Sequence, residues 1–174
     1  MVTAYIALGA NLGDAIAALQ QAVAAMHLLP GCAVTKTSSL YQTAPLETLP
    51  GHGPGGDYIN AVVEIETTLP APTLLQHLQQ VELAAGRERP YTNAPRTLDL
   101  DLLMYGDARI DSTHLSVPHP RMWQRAFVLI PLAEIAPNLV NAAQLDAVQQ
   151  QEIIKVAGIL KPAAANPKGC HTNP

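Results

Sequence analysis

Pro95-Arg96-Thr97-Leu98-Asp99-Leu100-Asp101-Leu102-Leu103 alternates apolar and acidic side chains with the period of a β-strand. Leu98, Leu100 and Leu102 fall on one face, Asp99 and Asp101 on the other. At a rise of about 3.3 Å per residue the two aspartate Cα atoms stand about 7 Å apart, close enough for both carboxylates to share one or two hard cations such as Mg²⁺. Strands disfavour Asp, and like charges on one face repel, so the pair calls for a partner. A metal ion is one answer. A solvated acidic face on an edge strand, where charge blocks aggregation, is another reading of the same alternation.

A chain of 174 residues with 48% hydrophobic side chains has the size and apolar content of one ordinary domain with a real core. Aromatic residues make up only 4%, with a single Phe and a single Trp, so the core is aliphatic and an aromatic near a polar motif stands out. No apolar run approaches the ~20 residues that span a bilayer, and Met1-Val2-Thr3-Ala4-Tyr5 lacks the charged start of a signal peptide. A soluble, cytoplasmic protein with no membrane partner is expected. Cys32 and Cys170 lie far apart without metal-ligand spacing, which argues against a disulfide framework.

A net charge of −4 argues against nucleic acid as a partner. The distribution of charge says more. Every arginine falls between Arg87 and Arg125 (Arg87, Arg89, Arg96, Arg109, Arg121, Arg125), and before Arg87 the one cationic side chain besides histidine is Lys36. Arginine suits bidentate phosphate contacts, so the segment with the paired aspartates also holds the candidate anion clamps. Metal plus phosphate is one reading; Arg and Asp paired with each other on the surface is the other.

Val2 to Leu8 reads as a buried strand, closed by Gly9-Ala10-Asn11-Leu12-Gly13-Asp14. That turn lacks both the Gly-Lys-Ser/Thr end of a P-loop and the third glycine of a dinucleotide fingerprint. Asp14 is placed to N-cap a helix with Ile16, Leu19, Val23 and Met26 at helical spacing, ended by Pro30-Gly31. A second strand is expected over about Ala33 to Gln42, broken by Thr43-Ala44-Pro45-Leu46. The Gly/Pro-rich insert from Glu47 to Gly56 reads as a mobile loop. A third strand, Tyr58 to Leu69, sets Ile59, Ala61, Val63 and Ile65 against Tyr58, Asn60, Val62, Glu64 and Glu66. Tyr58 and Asn60 thus share a side, a ring beside an amide that either receives a flat heterocycle or simply ends the strand in polar residues.

Pro72 opens a second helix with Leu74, Leu75, Leu78, Val81 and Ala85 as its stripe and Gly86 as its stop. Gln79 and Glu82 lie together on it, and in isolation they read as surface. Arg87 to Pro95 is polar and leads into the aspartate strand as a natural lid. Strand, helix, strand, strand, helix, strand is the ferredoxin-like βαββαβ order, an α+β fold whose antiparallel sheet carries helices on one face and leaves the other for later segments. After the hairpin signal Gly106-Asp107, two prolines fix the backbone around His119. A helix from about Arg121 would put Arg125 on the same face and carry Phe127, with Pro131 breaking or kinking it. A shorter helix is expected around Gln144 to Ile154. The sum is one domain over residues 1–160 with additional C-terminal helices, and a disordered tail over 161–174.

Several segments together resemble the 6-hydroxymethyl-7,8-dihydropterin pyrophosphokinases of folate biosynthesis. They are Tyr5-Ile6-Ala7-Leu8-Gly9-Ala10-Asn11-Leu12-Gly13-Asp14, Ser38-Ser39-Leu40-Tyr41-Gln42-Thr43, Asp57-Tyr58-Ile59-Asn60-Ala61, Gly86-Arg87 with Arg89, Pro95 through Asp101, and Val117-Pro118-His119-Pro120-Arg121-Met122. The match runs in order over about residues 1 to 137. It implies transfer of the β,γ-pyrophosphoryl group of MgATP to the pterin hydroxymethyl oxygen, with release of AMP, by a monomer acting on small molecules. By the same resemblance Asp99 and Asp101 bind two Mg²⁺, and Tyr58 and Phe127 sandwich the pterin. Asn60, with groups near Thr43 and Leu46, reads its hydrogen-bonding edge. Gln79, Glu82, Arg89, Leu102, Ser116, His119 and Arg125 line the ATP site, while Arg87 and Arg96 belong to a mobile catalytic loop.

Three features depart from the pattern. Thr92-Asn93 stands where some relatives carry an Arg-Trp pair, His114 stands where some carry Arg, and the Gly-rich insert is longer. Slower or looser closure with activity retained is expected. A Mg²⁺-dependent phosphohydrolase would use the same aspartates and arginines but has no use for Tyr58, Asn60 and Phe127.

Overall fold

The computed structural model describes residues 1–45, 56–86 and 97–162. The expected lid before the aspartate strand, the insert Glu47 to Gly56 except Gly56, and the tail 161–174 beyond position 162 fall outside these residues. The chain forms β1 (Val2–Ala10), α1 (Ala15–Leu28), β2 (Cys32–Thr37), β3 (Ser39–Thr43), β4 (Tyr58–Thr67), α2 (Ala71–Ala84) and β5 (Asp99–Tyr105). A hairpin of β6 (Ile110–Asp111) and β7 (Ser116–Val117) follows, then α3 (Ala126–Ile135), α4 (Ala142–Val148) and β8 (Ile154–Ile159). The main sheet is antiparallel with the order β5-β1-β4-β3-β8, and β2 also pairs with β4. The fold is α+β with a ferredoxin-like core, as the sequence predicts. No helix among the described residues is long and apolar enough to cross a membrane.

The alternation of β4 decides which helix lies where. Ala61, Val63 and Ile65 join Ile6, Leu8, Leu98, Leu100 and Leu102 under α1 and α2, whose Leu19, Val23, Met26, Leu74 and Leu78 complete that core. Val62 faces the other way, with Ala7 and Leu103, and packs beneath Val128, Leu129 and Leu132 of α3. The second sheet face is therefore covered by α3. Asp14 caps α1 as predicted, accepting from the Ala17 N–H at 3.0 Å. Ile16, expected in the apolar stripe, is 41% exposed, because it lies at the edge of the helix face on which Ala15, Ala18, Leu19 and Ala22 pack against the core.

Elsewhere the structure corrects the reading. The expected second strand is two, broken at Ser38, whose N–H donates to Val62 O and whose Oγ accepts from Val62 N at 2.9 Å. A side chain thus replaces one rung of the ladder and lets the chain step from the inner half of β4 to its outer half. β4 ends at Thr67, where the Thr67 hydroxyl accepts from the Leu69 N–H and turns the chain into α2. No helix runs from Arg121 through Arg125. Met122–Gln124 is a 3-10 turn, Arg125 is extended at φ −123 and ψ 115, and α3 begins at Ala126. Pro131 sits inside α3 without ending it. Its missing N–H and ring clash cost about 3 kcal/mol, which burial of Val128, Leu129 and Leu132 at about 1.5–3 kcal/mol each offsets.

The helix expected over Gln144 to Ile154 stops at Val148, and the chain then adds β8 to the edge of β3. Gly158 has φ 133, and a Cβ there would meet Leu40 Cδ1 at 2.7 Å, so glycine is required where the register with β3 shifts. Lys161, expected in the tail, is fastened to α1: its N–H donates to Gln20 Oε1 at 3.0 Å and its carbonyl accepts from Gln20 Nε2 at 2.6 Å.

The C-terminal half of α3 is tied to the sheet by two carboxylates. Glu134 accepts from the Ser39 N–H, the Ser39 hydroxyl and the Tyr41 hydroxyl, and Lys155 lies 3.6 Å away. Glu64 accepts from Tyr5, Thr35 and Lys36, and Lys36 also donates to the last carbonyl of α3. Tyr41 is pushed up to about 12 by burial and by its bond to Glu134, so it remains a donor throughout the physiological range.

Two measurements test this account. Ser38→Ala leaves the buried Val62 N–H without its acceptor and is expected to cost about 1–3 kcal/mol in urea unfolding; a loss under about 0.5 kcal/mol would overturn the account of the break. For Glu134, burial alone would raise the carboxyl, but the hydrogen bonds from Ser39 and Tyr41 outweigh it and hold the group below its usual value. A depressed carboxyl stabilises the fold above its unfolded pKa of about 4.3 and loses that contribution as pH falls further. The unfolding midpoint should therefore drop below about pH 4.3, and Glu134→Gln should be less stable at pH 7 and fall less steeply in acid. Parallel acid limbs in the two proteins would refute this.

Candidate functional site

Opposite residues of antiparallel strands share a face. Gly9 of β1 stands opposite Asn60 of β4 and opposite Asp99 of β5; Ala7 stands opposite Val62 and Asp101. Two rows therefore cross the sheet on its α3 face: Asn60, Gly9, Asp99, and beside it Val62, Ala7, Asp101. Val62 and Ala7 of the inner row are packed beneath α3, while Asp101 and, in the outer row, Gly9 and Asp99 are only partly buried.

The two aspartates stand on the edge strand β5, and the Asp101 side chain is 38% exposed. Between them the Leu100 N–H donates to Glu82 Oε1 at 2.7 Å. Glu82 is 3% exposed, so the pair read as surface on α2 divides: Gln79 is exposed and Glu82 is buried against the aspartate strand. Nothing in the helix pattern shows this, because β5 arrives only through a tertiary contact. Glu82 fixes the backbone from which both aspartates project.

Arg125 sits where the extended backbone enters α3. Its Nη1 is 4.0 Å from Asp101 Oδ2, and its guanidinium carbon is 5.4 Å from the centroid of the Phe127 ring, within cation–π range. The expected helical face of Arg121 and Arg125 is absent, and what brings Arg125 inward is the break before Ala126. Phe127 lies in the first turn of α3, so the anchoring of that helix by Glu134 also positions this ring.

On the other side of Gly9, Asn60 is 5% exposed and its amide is held in one orientation. Nδ2 donates to Thr43 Oγ1 at 2.9 Å and, more weakly, to Tyr41 O at 3.5 Å, so Oδ1 is turned toward the open side as an acceptor. Tyr58 opens β4 opposite Thr43 and is half-buried. Thr43, Tyr58 and Asn60 thus meet at one end of the sheet.

Beside β5 lies an open cleft of about 280 Å³ whose lining includes Leu75, Leu100, Leu102, His114, Ser116 and His119, with Asp101 on its wall. Leu102, Ser116 and His119 of the expected nucleotide set come together here. Ser112 and Thr113 also line it and carry no sequence signal, since only the β6–β7 hairpin folds them over β5. His119 Nδ1 accepts from the Arg121 N–H at 3.2 Å, which leaves the ring proton on Nε2. Burial lowers its pKa, Arg125 and Arg121 push the same way, and the opposing pull of Asp101 and Asp99 does not restore it. These effects favour the neutral imidazole, with Nε2 as its donor. Leu46, Arg87, Arg89, Arg96 and the Thr92-Asn93 departure lie outside the described residues.

The family model described as 7,8-dihydro-6-hydroxymethylpterin-pyrophosphokinase (HPPK) matches residues 5–137. The 2-amino-4-hydroxy-6-hydroxymethyldihydropteridine pyrophosphokinase of Bacillus subtilis is 44% identical over 153 residues, which cover 88% of this chain and 89% of that protein. The enzyme of the same name from Haemophilus influenzae is 44% identical over 140 residues, 80% of this chain and 85% of its own. Among solved structures, wild-type Plasmodium falciparum HPPK-DHPS superposes with a TM-score of 0.60 at 14% identity, over 86% of this chain and 41% of that longer one. That likeness shows a shared fold.

Proposed function

The chain belongs to the 7,8-dihydro-6-hydroxymethylpterin-pyrophosphokinase family, and on that basis we propose how its cleft performs the reaction. It is an ATP-dependent transferase of folate biosynthesis that moves pyrophosphate from ATP to 6-hydroxymethyl-7,8-dihydropterin, giving the pterin diphosphate and AMP. The hydroxymethyl oxygen attacks the β-phosphorus, the bond from that phosphorus to the α-phosphate oxygen breaks, and AMP leaves with that oxygen while the hydroxyl proton is lost to solvent. The observation that carries this reading is the position of Arg125. One guanidinium within reach of Asp101 and of the Phe127 ring supports reading these three as neighbouring metal ligand, phosphate clamp and ring site.

Asp99 and Asp101 fit a hard cation, since both offer carboxylate oxygens from one face of an accessible edge strand. Among the described residues no group of three or more His, Cys, Asp and Glu converges, so water and phosphate would complete the shell, the usual manner for Mg²⁺. Two Mg²⁺ ions, when bound, neutralise triphosphate charge and orient the reacting phosphorus. Arg125 clamps phosphate beside them. His119 has only its Nε2 proton to offer and its other nitrogen engaged, so it hydrogen-bonds phosphate and does not take the hydroxyl proton.

Leu102 and Ser116 shape the nucleotide side with Gln79, Glu82 and Arg89, and Glu82 acts there by holding the aspartate strand. Tyr58 and Phe127 close on the two faces of the pterin, and Asn60 Oδ1, locked by Thr43, accepts from its edge beside Leu46. Arg87 and Arg96 belong to the catalytic loop. The protein works as a cytoplasmic monomer with one pyrophosphokinase domain over residues 1–160, and it takes neither nucleic acid nor membrane as partner.

Incubation of the protein with MgATP and the hydroxymethyl dihydropterin should release AMP, and release of ADP would sink the reading. Asp99→Ala and Asp101→Ala should each lower turnover at least about 100-fold. Their stability should stay within about 1 kcal/mol of the parent, since partly exposed acidic side chains on an edge strand contribute little to it. Near-normal rates in either variant would remove the metal assignment.

A further inference from the structure

We infer that Gln151 is a positioning residue for the reaction: its amide clamps the peptide groups on both sides of Arg125 and so aims the guanidinium that grips phosphate, a role that rests on the pyrophosphokinase reading. Gln151 Oε1 accepts from the Ala126 N–H at 2.9 Å, and Gln151 Nε2 donates to Gln124 O at 2.8 Å. These belong to the two peptide planes between which φ and ψ of Arg125 turn. Around an extended residue the carbonyl before it and the N–H after it point the same way, so one amide reaches both. Within a helix they point in opposite directions along the axis, and the same amide would miss one of them. The bridge therefore holds Arg125 at φ −123 and ψ 115 and keeps the 3-10 turn Met122–Gln124 from fusing with α3. An amide suits this task because one terminus carries a donor and an acceptor.

The start of α3 needs support from outside. Arg125 occupies its N-cap, where Ser, Thr, Asp or Asn would accept from an unpaired helix N–H, and a guanidinium has donors alone. Arg125 makes no side-chain cap bond; its guanidinium turns instead toward Asp101 and the Phe127 ring. A side chain committed to that site cannot also close the helix, and Gln151 supplies the acceptor in its place. Gln151 is itself held. Its N–H donates to Val148 O at 3.0 Å, Val148 is 2% exposed in the core that α3 shares with the sheet, and α4 is closed at its start by reciprocal bonds between Asn141 and Gln144. Gln149 and Gln150, the other members of this run of three glutamines, are exposed, so nothing in the sequence marks which of them turns inward.

Gln151→Met keeps the length of the side chain and removes both hydrogen bonds. Isothermal titration with a nonhydrolysable ATP analogue and Mg²⁺ should show affinity about fivefold weaker in this variant, but less than about twofold weaker when the same change is made in Arg125→Ala, because the clamp then has nothing to aim. Unchanged affinity in Gln151→Met, or the same loss in both backgrounds as a general loosening of the fold would give, overturns the inference. A second readout needs no change at Arg125: ¹⁵N relaxation of its Nε–H should give a lower order parameter in Gln151→Met than in the parent, and an equal value overturns the inference. Neither measurement reads turnover. The expected losses in a protein that releases ADP would support the clamp and sink the reaction reading, whereas AMP release with an unmoved Arg125 would do the reverse.

Discussion

The register of β1 against its two neighbours is the constraint on which the rest of the site depends. Side chains alternate with period two, so a slip of one residue would carry Asp99, Asp101 and Asn60 into the aliphatic core under α1 and α2 and push Leu98, Leu100 and Ala61 out of it. The transfer energy of that core, at about 1.5–3 kcal/mol per large side chain, makes the slip prohibitive. Hydrophobic burial on one face of the sheet thus fixes the polar chemistry on the other, although no core residue touches a substrate.

The helix α3 completes what the register begins. It covers Val62 and Ala7 of the inner row, so the same face is a packed core at one end and only partly buried at Gly9 and Asp99 at the other. Anchoring by Glu134 and by Lys36 acts at the far end of α3, while Arg125 and Phe127 stand at its start. A rigid ten-residue lever connects the two. The Pro131 ring inside it removes one intrahelical bond without freeing the helix, because the residues around it are held by the sheet.

Much of this was legible in the chain. Strict alternation at Leu98 to Leu102 and at Ile59 to Glu66 gave the strands, their faces and the carboxylate pair; Asp14 with its apolar spacing gave α1. What stayed illegible was decided by partners distant in sequence. Val62 and Ser38 exchange hydrogen bonds that split one β-rich run into β2 and β3. Glu82 looks like surface until β5 lies on it. Arg125 and Pro131 fit a helical pattern read locally, whereas packing against the sheet sets where α3 starts and lets the proline remain. β8 was hidden because its side chains are mostly exposed, so it has no apolar alternation to read, and its pairing rests on backbone bonds to β3.

The double hydrogen bond between Gln20 and the backbone of Lys161 joins positions 141 residues apart. A ribosome releases the chain from its N-terminus at about 5–20 residues per second, so α1 waits on the order of ten seconds for this partner. Throughout that interval β3 has an unpaired edge, the kind of surface on which nascent chains join one another. Translation speed over the second half of the message, and the chaperones that meet it, therefore bear on yield through a strand that takes no part in the chemistry.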